Sequence, residues 1–129
     1  MVLFWVILSF CISNPNDSET EHPVFKPESY TVNYGRVDSA SNTKRELHFT
    51  NAGQAPLLIT TIKSSCGCMY AIWPKEPIPA GGKDKITVVY DTRRIGPFTK
   101  TLTVVTNEPE ADENNFHIIR VIGQVGSGN

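Results

Sequence analysis

The feature that most constrains the fold is a series of short β-prone runs, separated at intervals of about ten residues by glycine, proline and asparagine. No window of the chain keeps the 3.6-residue period of an amphipathic helix. The runs that we interpret as strands are Tyr30–Val37, Arg45–Asn51, Leu57–Lys63, Lys85–Asp91, Thr99–Thr106 and Phe116–Val125, with a shorter one at Met69–Trp73. The pattern predicts an all-β domain, an antiparallel β-sandwich of about seven strands.

Alternation of apolar and polar residues within the runs indicates which side chains form the core. Leu47 and Phe49 alternate with polar neighbours, as a half-solvated antiparallel strand requires. The same period selects further inward residues, namely Ile86, Val88, Tyr90, Leu102 and Val104. We therefore interpret these residues as core rather than as parts of a binding site.

The first eleven residues, MVLFWVILSFC, are almost entirely apolar and precede a polar, acidic stretch. The run is too short for a transmembrane helix, which needs about 20 residues, and its length suits a secretory signal. We therefore predict a signal or lipoprotein leader over residues 1–11. Cys11 is the lipidation candidate, because Leu8 stands three residues before it as in bacterial lipoprotein signals. Bulky Phe10 and the lack of a Lys or Arg before the apolar run depart from the usual pattern of such signals. The alternative is plain cleavage between Ser9 and Pro15.

Residues 12–28 are predicted to be a flexible linker, followed by one sandwich domain over residues 29–126. The linker contains the acidic stretch NDSETE at residues 16–21, which has too few apolar side chains to fold by itself. This stretch is similar to the acidic tethers that carry some lipoproteins to the outer cell surface. We expect an exported protein, in the periplasm or held as an outer-membrane lipoprotein, with the tether favouring exposure at the cell surface.

Charge and motif content argue against several classes of function. The formal net charge of -1 and the pI of about 6.3 provide no basic field for nucleic acid or anionic lipid, so we expect membrane contact only through a lipid anchor. The sequence contains neither a Gly-Xaa-Ser-Xaa-Gly elbow nor a glycine-rich phosphate loop. We therefore expect a protein that is not an enzyme and that requires no cofactor.

Cys66 and Cys68 belong to the most chemically suggestive cluster, Ser64-Ser65-Cys66-Gly67-Cys68-Met69. Residues i and i+2 of an extended strand lie about 6.6 Å apart, at the upper edge of the Cα separation that a disulfide accepts. We expect Gly67 to permit the kink that closes this gap. Closing so short a loop stabilises a fold by only about 1.6 kcal/mol. The pair is therefore a disulfide or redox candidate, and a structural bridge, an exposed redox pair and a soft-metal site all stay open.

No firm metal site is predicted, because protein metal sites need three or four ligands. The weak candidates are Cys66, Cys68 and the thioether sulfur of Met69. The histidines stand singly, His22 in the predicted linker and His48 and His117 on predicted strands, which is typical of solvated or cross-strand residues.

Several short motifs follow one another in a specific order between Tyr30 and Val125. They are Phe49-Thr50-Asn51-Ala52-Gly53 with Pro56-Leu57, Ser65-Cys66-Gly67-Cys68, Trp73-Pro74, Pro79-Ala80-Gly81, Val89-Tyr90-Asp91, Gly96-Pro97-Phe98-Thr99-Lys100, Thr106-Asn107 and Gly123-Gln124-Val125. In this order they resemble the bacterial envelope family known as domain of unknown function 1573. The resemblance implies an immunoglobulin-like fold, similar to major-sperm-protein and Hydin-type domains, and it implies no established activity.

Together these features predict a non-catalytic, exported binding or scaffolding domain that makes protein–protein contacts in the bacterial cell envelope. Edge strands of a sandwich offer unpaired backbone groups to the strand of a partner, here another envelope protein. Trp73 and Phe98, if they are exposed near the Cys66 loop, are candidate partner-binding anchors. The alternative hypothesis is a thiol-dependent redox or soft-metal-binding protein that uses Cys66 and Cys68.

Overall fold

The computed structural model describes residues 22–41, 43–109 and 115–127, which form eight strands in two sheets. The strands are β1 (Phe25–Pro27), β2 (Thr31–Asp38), β3 (Lys44–Asn51), β4 (Ile59–Ser64), β5 (Met69–Ile72), β6 (Lys83–Tyr90), β7 (Gly96–Thr106) and β8 (Phe116–Gly126). This architecture confirms the predicted all-β sandwich, with eight strands where about seven were expected. None of the described residues belongs to a helix that is long and apolar enough to cross a membrane.

Each sheet contains four strands, and the chain switches sheets at both lateral sides of the sandwich. The first sheet has the order β1-β3-β6-β5 and the second has the order β2-β8-β7-β4. Paired strands are antiparallel except β2 and β8, which run parallel. One lateral side is therefore formed by the edge strands β1 and β2, which we call the closed flank. The other side, which we call the open flank, is formed by β4, β5 and the loop between them.

The core lies between the two sheets and contains the residues that alternation selects. All of the predicted inward residues are buried: Leu47, Phe49, Ile86, Val88, Tyr90, Leu102 and Val104. An aromatic cluster of Tyr34, Tyr90 and Phe98 joins the sheets, with the rings of Tyr90 and Phe98 stacked at a centroid distance of 3.8 Å. A Cβ added to Gly123 would lie 2.7 Å from atoms of Tyr34 and Phe98, so this packing requires glycine there.

Asn51 shows that the motifs between Tyr30 and Val125 serve the architecture of the domain. Its side chain is fully buried, and its carboxamide donates to the carbonyl oxygens of Ala55 at 2.7 Å and Ile78 at 3.0 Å. Its Oδ1 accepts hydrogen bonds from the backbone N–H groups of Val24 at 3.2 Å and Gly53 at 3.0 Å. One side chain thus satisfies the backbone of three separate segments, which a buried irregular region requires.

Strand β1 corrects the predicted boundary between linker and domain. Residues 12–28 were interpreted as flexible linker, but Phe25–Pro27 pairs with β3 in antiparallel register, and Phe25 is buried in the core. The prediction failed because a strand of three residues that ends in proline shows no readable period. β7 likewise begins at Gly96 rather than at Thr99, which extends its pairing with β8 to Val125.

Candidate functional site

Strand β5, at the edge of the open flank, has one side free of any described strand. It pairs only with β6, and the carbonyl oxygen of Cys68 accepts a hydrogen bond from the N–H of Asp91 at 2.8 Å. Backbone groups along an antiparallel strand alternate between partner and opposite side, so Tyr70 also faces β6. The N–H and C=O groups of Met69 and Ala71 therefore point away from β6. Met69 is only 2% exposed, so the backbone groups of Ala71 are the ones that are accessible to another strand.

The other three edge strands carry features that hinder strand addition. β1 contains Lys26 and Pro27, β2 has a register irregularity between Asn33 and Arg36, and β4 has one between Ile59 and Thr61. Charged residues, prolines and bulges on an edge are the common means by which proteins prevent unwanted strand pairing. These three edges are therefore poor templates for a partner strand.

β5 has none of these protective features. Its sequence, Met-Tyr-Ala-Ile, contains no charge and no proline, and its register with β6 is regular. Tyr70 is 57% exposed and Ile72 is 52% exposed, and both lie on the outer face of the first sheet, beside Val89 and Thr87 of β6. The edge thus combines available backbone groups with two large apolar side chains.

The core is also less well covered along the open flank than elsewhere. Four apolar side chains pack against the core while staying partly exposed, namely Ile62, Cys66, Ala71 and Trp73. All four lie in the single segment that comprises the end of β4, the following loop, β5 and its exit. These apolar side chains are therefore partly accessible on this flank, and side chains of a partner could cover them.

The loop between β4 and β5 contains the predicted disulfide. Cys66 and Cys68 are joined, with their Cα atoms 5.3 Å apart. Cys68 is 7% exposed and belongs to the core, whereas Cys66 is partly exposed. Gly67 does not have a positive φ, and a Cβ added to it would meet no atom within 4 Å. Gly67 thus permits the turn, as expected, but the turn uses a conformation that is also open to other residues.

Two serines hold this loop independently of the sulfur atoms. The hydroxyl of Ser64 donates to the carbonyl oxygen of Cys66 at 2.8 Å and accepts from the N–H of Cys66 at 3.3 Å. Ser65 donates its N–H to the carbonyl oxygen of Thr101 at 3.0 Å, and its hydroxyl accepts from the N–H of Thr101 at 3.0 Å. The backbone thus places the two cysteines side by side.

Met69, the third weak metal candidate, follows the cysteine pair directly and lies in the core. Its side chain is buried in the core, so its thioether is not presented at the surface with Cys66. Among residues 22–41, 43–109 and 115–127, no three His, Cys, Asp or Glu side chains are grouped closely enough to hold a metal ion. The weak soft-metal assignment to Cys66, Cys68 and Met69 stays a prediction.

Phe98 is not an exposed anchor. It is 6% exposed and packs in the aromatic cluster with Tyr34 and Tyr90, because β7 already starts at Gly96 and turns the ring inward. Trp73 is partly buried beside β5, with Nζ of Lys75 3.2 Å from its ring centroid, a cation–π contact. Its indole N–H is buried and has no hydrogen-bond partner in the described part of the chain. Tyr70 and Ile72 are the side chains that replace Phe98 as candidate anchors.

The lipidation candidate Cys11 and the acidic stretch 16–21 lie outside the described residues. The predictions of a leader and of an acidic tether therefore stay predictions.

A buried polar cluster at the closed flank was not predicted from the sequence. One carboxylate oxygen of Glu108 accepts a hydrogen bond from the hydroxyl of Thr106 and lies 2.6 Å from Nε2 of His117. Burial raises the pKa of Glu108, but hydrogen bonds from His117, Thr106 and the Phe25 backbone together outweigh burial and hold that pKa below its ordinary value. The carboxylate thus links β1, the end of β7 and β8, a grouping that only the topology reveals.

A model of the family of proteins of unknown function DUF1573 matches residues 25–121, from β1 into β8. This chain belongs to that family. Membership agrees with the resemblance carried by the motifs, and the matched region begins at β1 rather than at the predicted domain boundary. A comparison with curated proteins finds no match.

Solved structures with the same architecture include bacterial and animal proteins. A protein of unknown function from Porphyromonas gingivalis W83 is 17% identical, with a TM-score of 0.71 over 87% of this chain and 51% of that one, so this chain spans about half of its length. The major-sperm-protein family member WR4 of C. elegans is 16% identical, with a TM-score of 0.55 over 81% of this chain and all of its own.

Chaperone-like proteins share the fold as well. The CsuC–CsuE chaperone–tip adhesion subunit pre-assembly complex of Acinetobacter baumannii contains a chain that is 12% identical, with a TM-score of 0.55 over 81% of this chain and 58% of that one. At these identities the likeness shows a shared immunoglobulin-like sandwich.

Proposed function

We propose that this domain is a non-catalytic binding or scaffolding module of the bacterial cell envelope, and that it binds an extended segment of another envelope protein along β5. The observation that carries the proposal is the contrast between β5 and the three other edges. β5 alone among the described edge strands is regular, uncharged and free of proline. A partner strand would continue the first sheet beyond β5.

The two kinds of contact available at β5 match the needs of such a complex. Ala71 supplies an outward backbone donor and acceptor, which give affinity for any extended chain. Tyr70 and Ile72 project on the outer face, where alternate side chains of the partner would contact them and give specificity. Tyrosine is among the residues most often found as anchors in protein interfaces.

Location in the envelope is supported by the sequence rather than by the fold. The apolar run of residues 1–11 has the length of a secretory leader, and Cys11 is placed to carry a lipid. The sandwich of the Acinetobacter baumannii complex offers an analogy, since in that complex a chaperone is bound to a tip adhesion subunit. The domain is proposed to work in the periplasm or at the outer membrane.

Replacement of Ala71 by proline tests the proposal with minimal disturbance of the fold. The N–H of Ala71 faces the free side, so Ala71→Pro removes the outward donor without removing a hydrogen bond to β6. Peptides selected from a random library on the wild-type protein should carry apolar residues at alternate positions. We expect them to bind Ala71→Pro at least about ten-fold more weakly, since a backbone hydrogen bond is lost and the proline ring obstructs pairing.

A matched pair of substitutions controls for general loss of apolar surface. Ile72 on β5 and Ile118 on β8 are equally exposed, at 52% each, but they lie on the outer faces of different sheets. Ile72→Ser should weaken peptide binding, and Ile118→Ser should leave it unchanged. Equal affinities for wild type and Ala71→Pro, or a larger loss with Ile118→Ser, would remove β5 as the binding edge.

A further inference from the structure

We propose that the Cys66–Cys68 disulfide is a reversible site of thiol–disulfide exchange, in which Cys66 is the sulfur that an incoming thiolate attacks and Cys68 is the sulfur that leaves. The inference rests on the loop between β4 and β5 and does not depend on strand binding. The ligand class is a low-molecular-weight thiol or the reactive cysteine of another protein.

The two sulfurs differ in solvent exposure, and this difference determines which of them an incoming thiolate attacks. Cys66 is partly exposed, whereas Cys68 is buried against the core. Gly67 between them has no side chain to shield the bond, and the space around its missing Cβ is open.

The loop is also built to re-form the bond after reduction. Ser64 binds the N–H and the C=O of Cys66, and Ser65 is tied to Thr101. The carbonyl oxygen of Cys68 accepts from the N–H of Asp91, and none of these hydrogen bonds involves sulfur. We expect these bonds to keep the two Cα atoms in the dithiol near the 5.3 Å of the disulfide. A bridge that closes a ring of three residues adds little to fold stability, so the fold tolerates its opening.

The exchange is balanced with glutathione as the thiol. A glutathione thiolate forms a bond to Sγ of Cys66, the Cys66–Cys68 bond breaks, and Cys68 leaves as a thiolate that takes a proton from water. A second glutathione thiolate attacks the mixed disulfide, forms glutathione disulfide and releases Cys66 as a thiolate, which is protonated in turn. Two thiols are oxidised and one protein disulfide is reduced, and the reverse sequence oxidises the dithiol.

The first test is the equilibrium of the full chain in glutathione buffers, read by intact mass after rapid alkylation. We expect at least half of the protein to become reduced in millimolar reduced glutathione, and to reoxidise when glutathione disulfide is added. Ser65→Ala should lower the equilibrium constant for reoxidation about five-fold, because one of the hydrogen bonds that aligns the cysteines is lost. Protein that stays fully oxidised in these buffers would overturn the proposal.

The second test separates the roles of the two cysteines. Cys68→Ser retains the exposed Cys66 and should form a mixed disulfide with glutathione disulfide at least about ten-fold faster than Cys66→Ser, which retains buried Cys68. Both variants should react at equal rates in urea, where burial is lost. Folding of both variants is verified by circular dichroism. Equal rates in the folded proteins would show that Cys66 is not the preferred site of attack.

Discussion

The two flanks of the sandwich differ in how well their edge strands are covered by other side chains. On the closed flank, the side chain of Phe25 from β1 packs against Phe49 and against the ring of His117, with ring centroids 5.2 and 4.7 Å apart. The carboxylate of Glu108 ties the same strand to β7 and β8. On the open flank, β5 is followed by partly exposed Trp73, and no described residue covers it in a comparable way.

This difference assigns stability and recognition to different sides of the molecule. An edge strand that is covered by an aromatic ring and a buried polar cluster stabilises the fold, but few of its groups are accessible to a partner. An edge that keeps its backbone groups and apolar side chains accessible contributes less to folding and is free to bind. Substitutions on the closed flank should therefore change stability, and those on the open flank should change binding or redox behaviour.

The largest effect on stability is expected from Phe25→Ala. The ring is 2% exposed and fills space between the sheets at the closed flank, so its removal leaves a cavity. We expect a loss of about 3–5 kcal/mol in the free energy of unfolding. Urea unfolding followed by circular dichroism measures this loss, and Tyr70→Ala on the open flank should cost less than about 1 kcal/mol. Similar losses for both variants would contradict the assignment of stability to the closed flank.

Glu108→Gln should have the next largest effect, because the uncharged amide is a weaker partner for the groups that bind the carboxylate. We expect a loss of about 1–3 kcal/mol near neutral pH. The folded-state pKa of Glu108 lies below its ordinary value of 4.5, so the carboxylate stabilises the fold fully above that value and loses this effect as the pH falls through the lowered pKa.

Thermal unfolding of wild type and Glu108→Gln as a function of pH checks this dependence. The two melting temperatures should differ most near neutral pH and approach each other on acidification below about 4. A constant difference across this range would show that the charge of Glu108 does not stabilise the closed flank.

Removal of the disulfide should have a smaller effect. The double variant Cys66→Ser, Cys68→Ser should lose no more than about 2 kcal/mol, since the bond closes a loop of three residues and the serine hydrogen bonds stay in place. Its free energy of unfolding is compared with that of the oxidised wild type. A loss as large as that of Phe25→Ala would mean that the bridge is a principal support of the fold.

The smallest effect is expected from Gly67→Ala, and Gly123→Ala is its destabilising counterpart. Gly67→Ala in the open-flank loop should be neutral or stabilise by up to about 1 kcal/mol, because its φ is not positive and its Cβ meets no neighbour. Gly123→Ala on β8 should be destabilising, because its Cβ would approach Tyr34 and Phe98 to 2.7 Å. Melting temperatures of the two variants give the comparison, and a destabilised Gly67→Ala would show that the turn needs glycine.

The strands and the core were predictable because their signal is local. Alternation in β3 identified Leu47 and Phe49 as inward residues, and the spacing of Cys66 and Cys68 allowed a disulfide on geometric grounds. β1 was not predicted, because a strand of three residues is too short to show an alternation of apolar and polar side chains. Its burial depends on contact with Phe49 and His117, which are distant in sequence.

The candidate site was less predictable because it depends on topology. Phe98 follows a Gly-Pro pair that indicates a turn, yet its ring is buried through contacts with Tyr34 and Tyr90 on other strands. That β5 is an edge, and the only unprotected one among the described strands, follows from strand order, which no local pattern contains. The Glu108–His117 pair likewise requires β7 and β8 to be neighbours.

Hydrogen exchange at the backbone amides of β5, followed by NMR, tests the central claim most directly. In the free protein the amide of Tyr70 should exchange slowly, because it faces β6, while that of Ala71, which faces the free side, should exchange quickly. A peptide selected on the wild-type protein should slow exchange at Ala71 specifically. Slow exchange at Ala71 without peptide, or protection by the peptide only at the closed flank, would contradict the account.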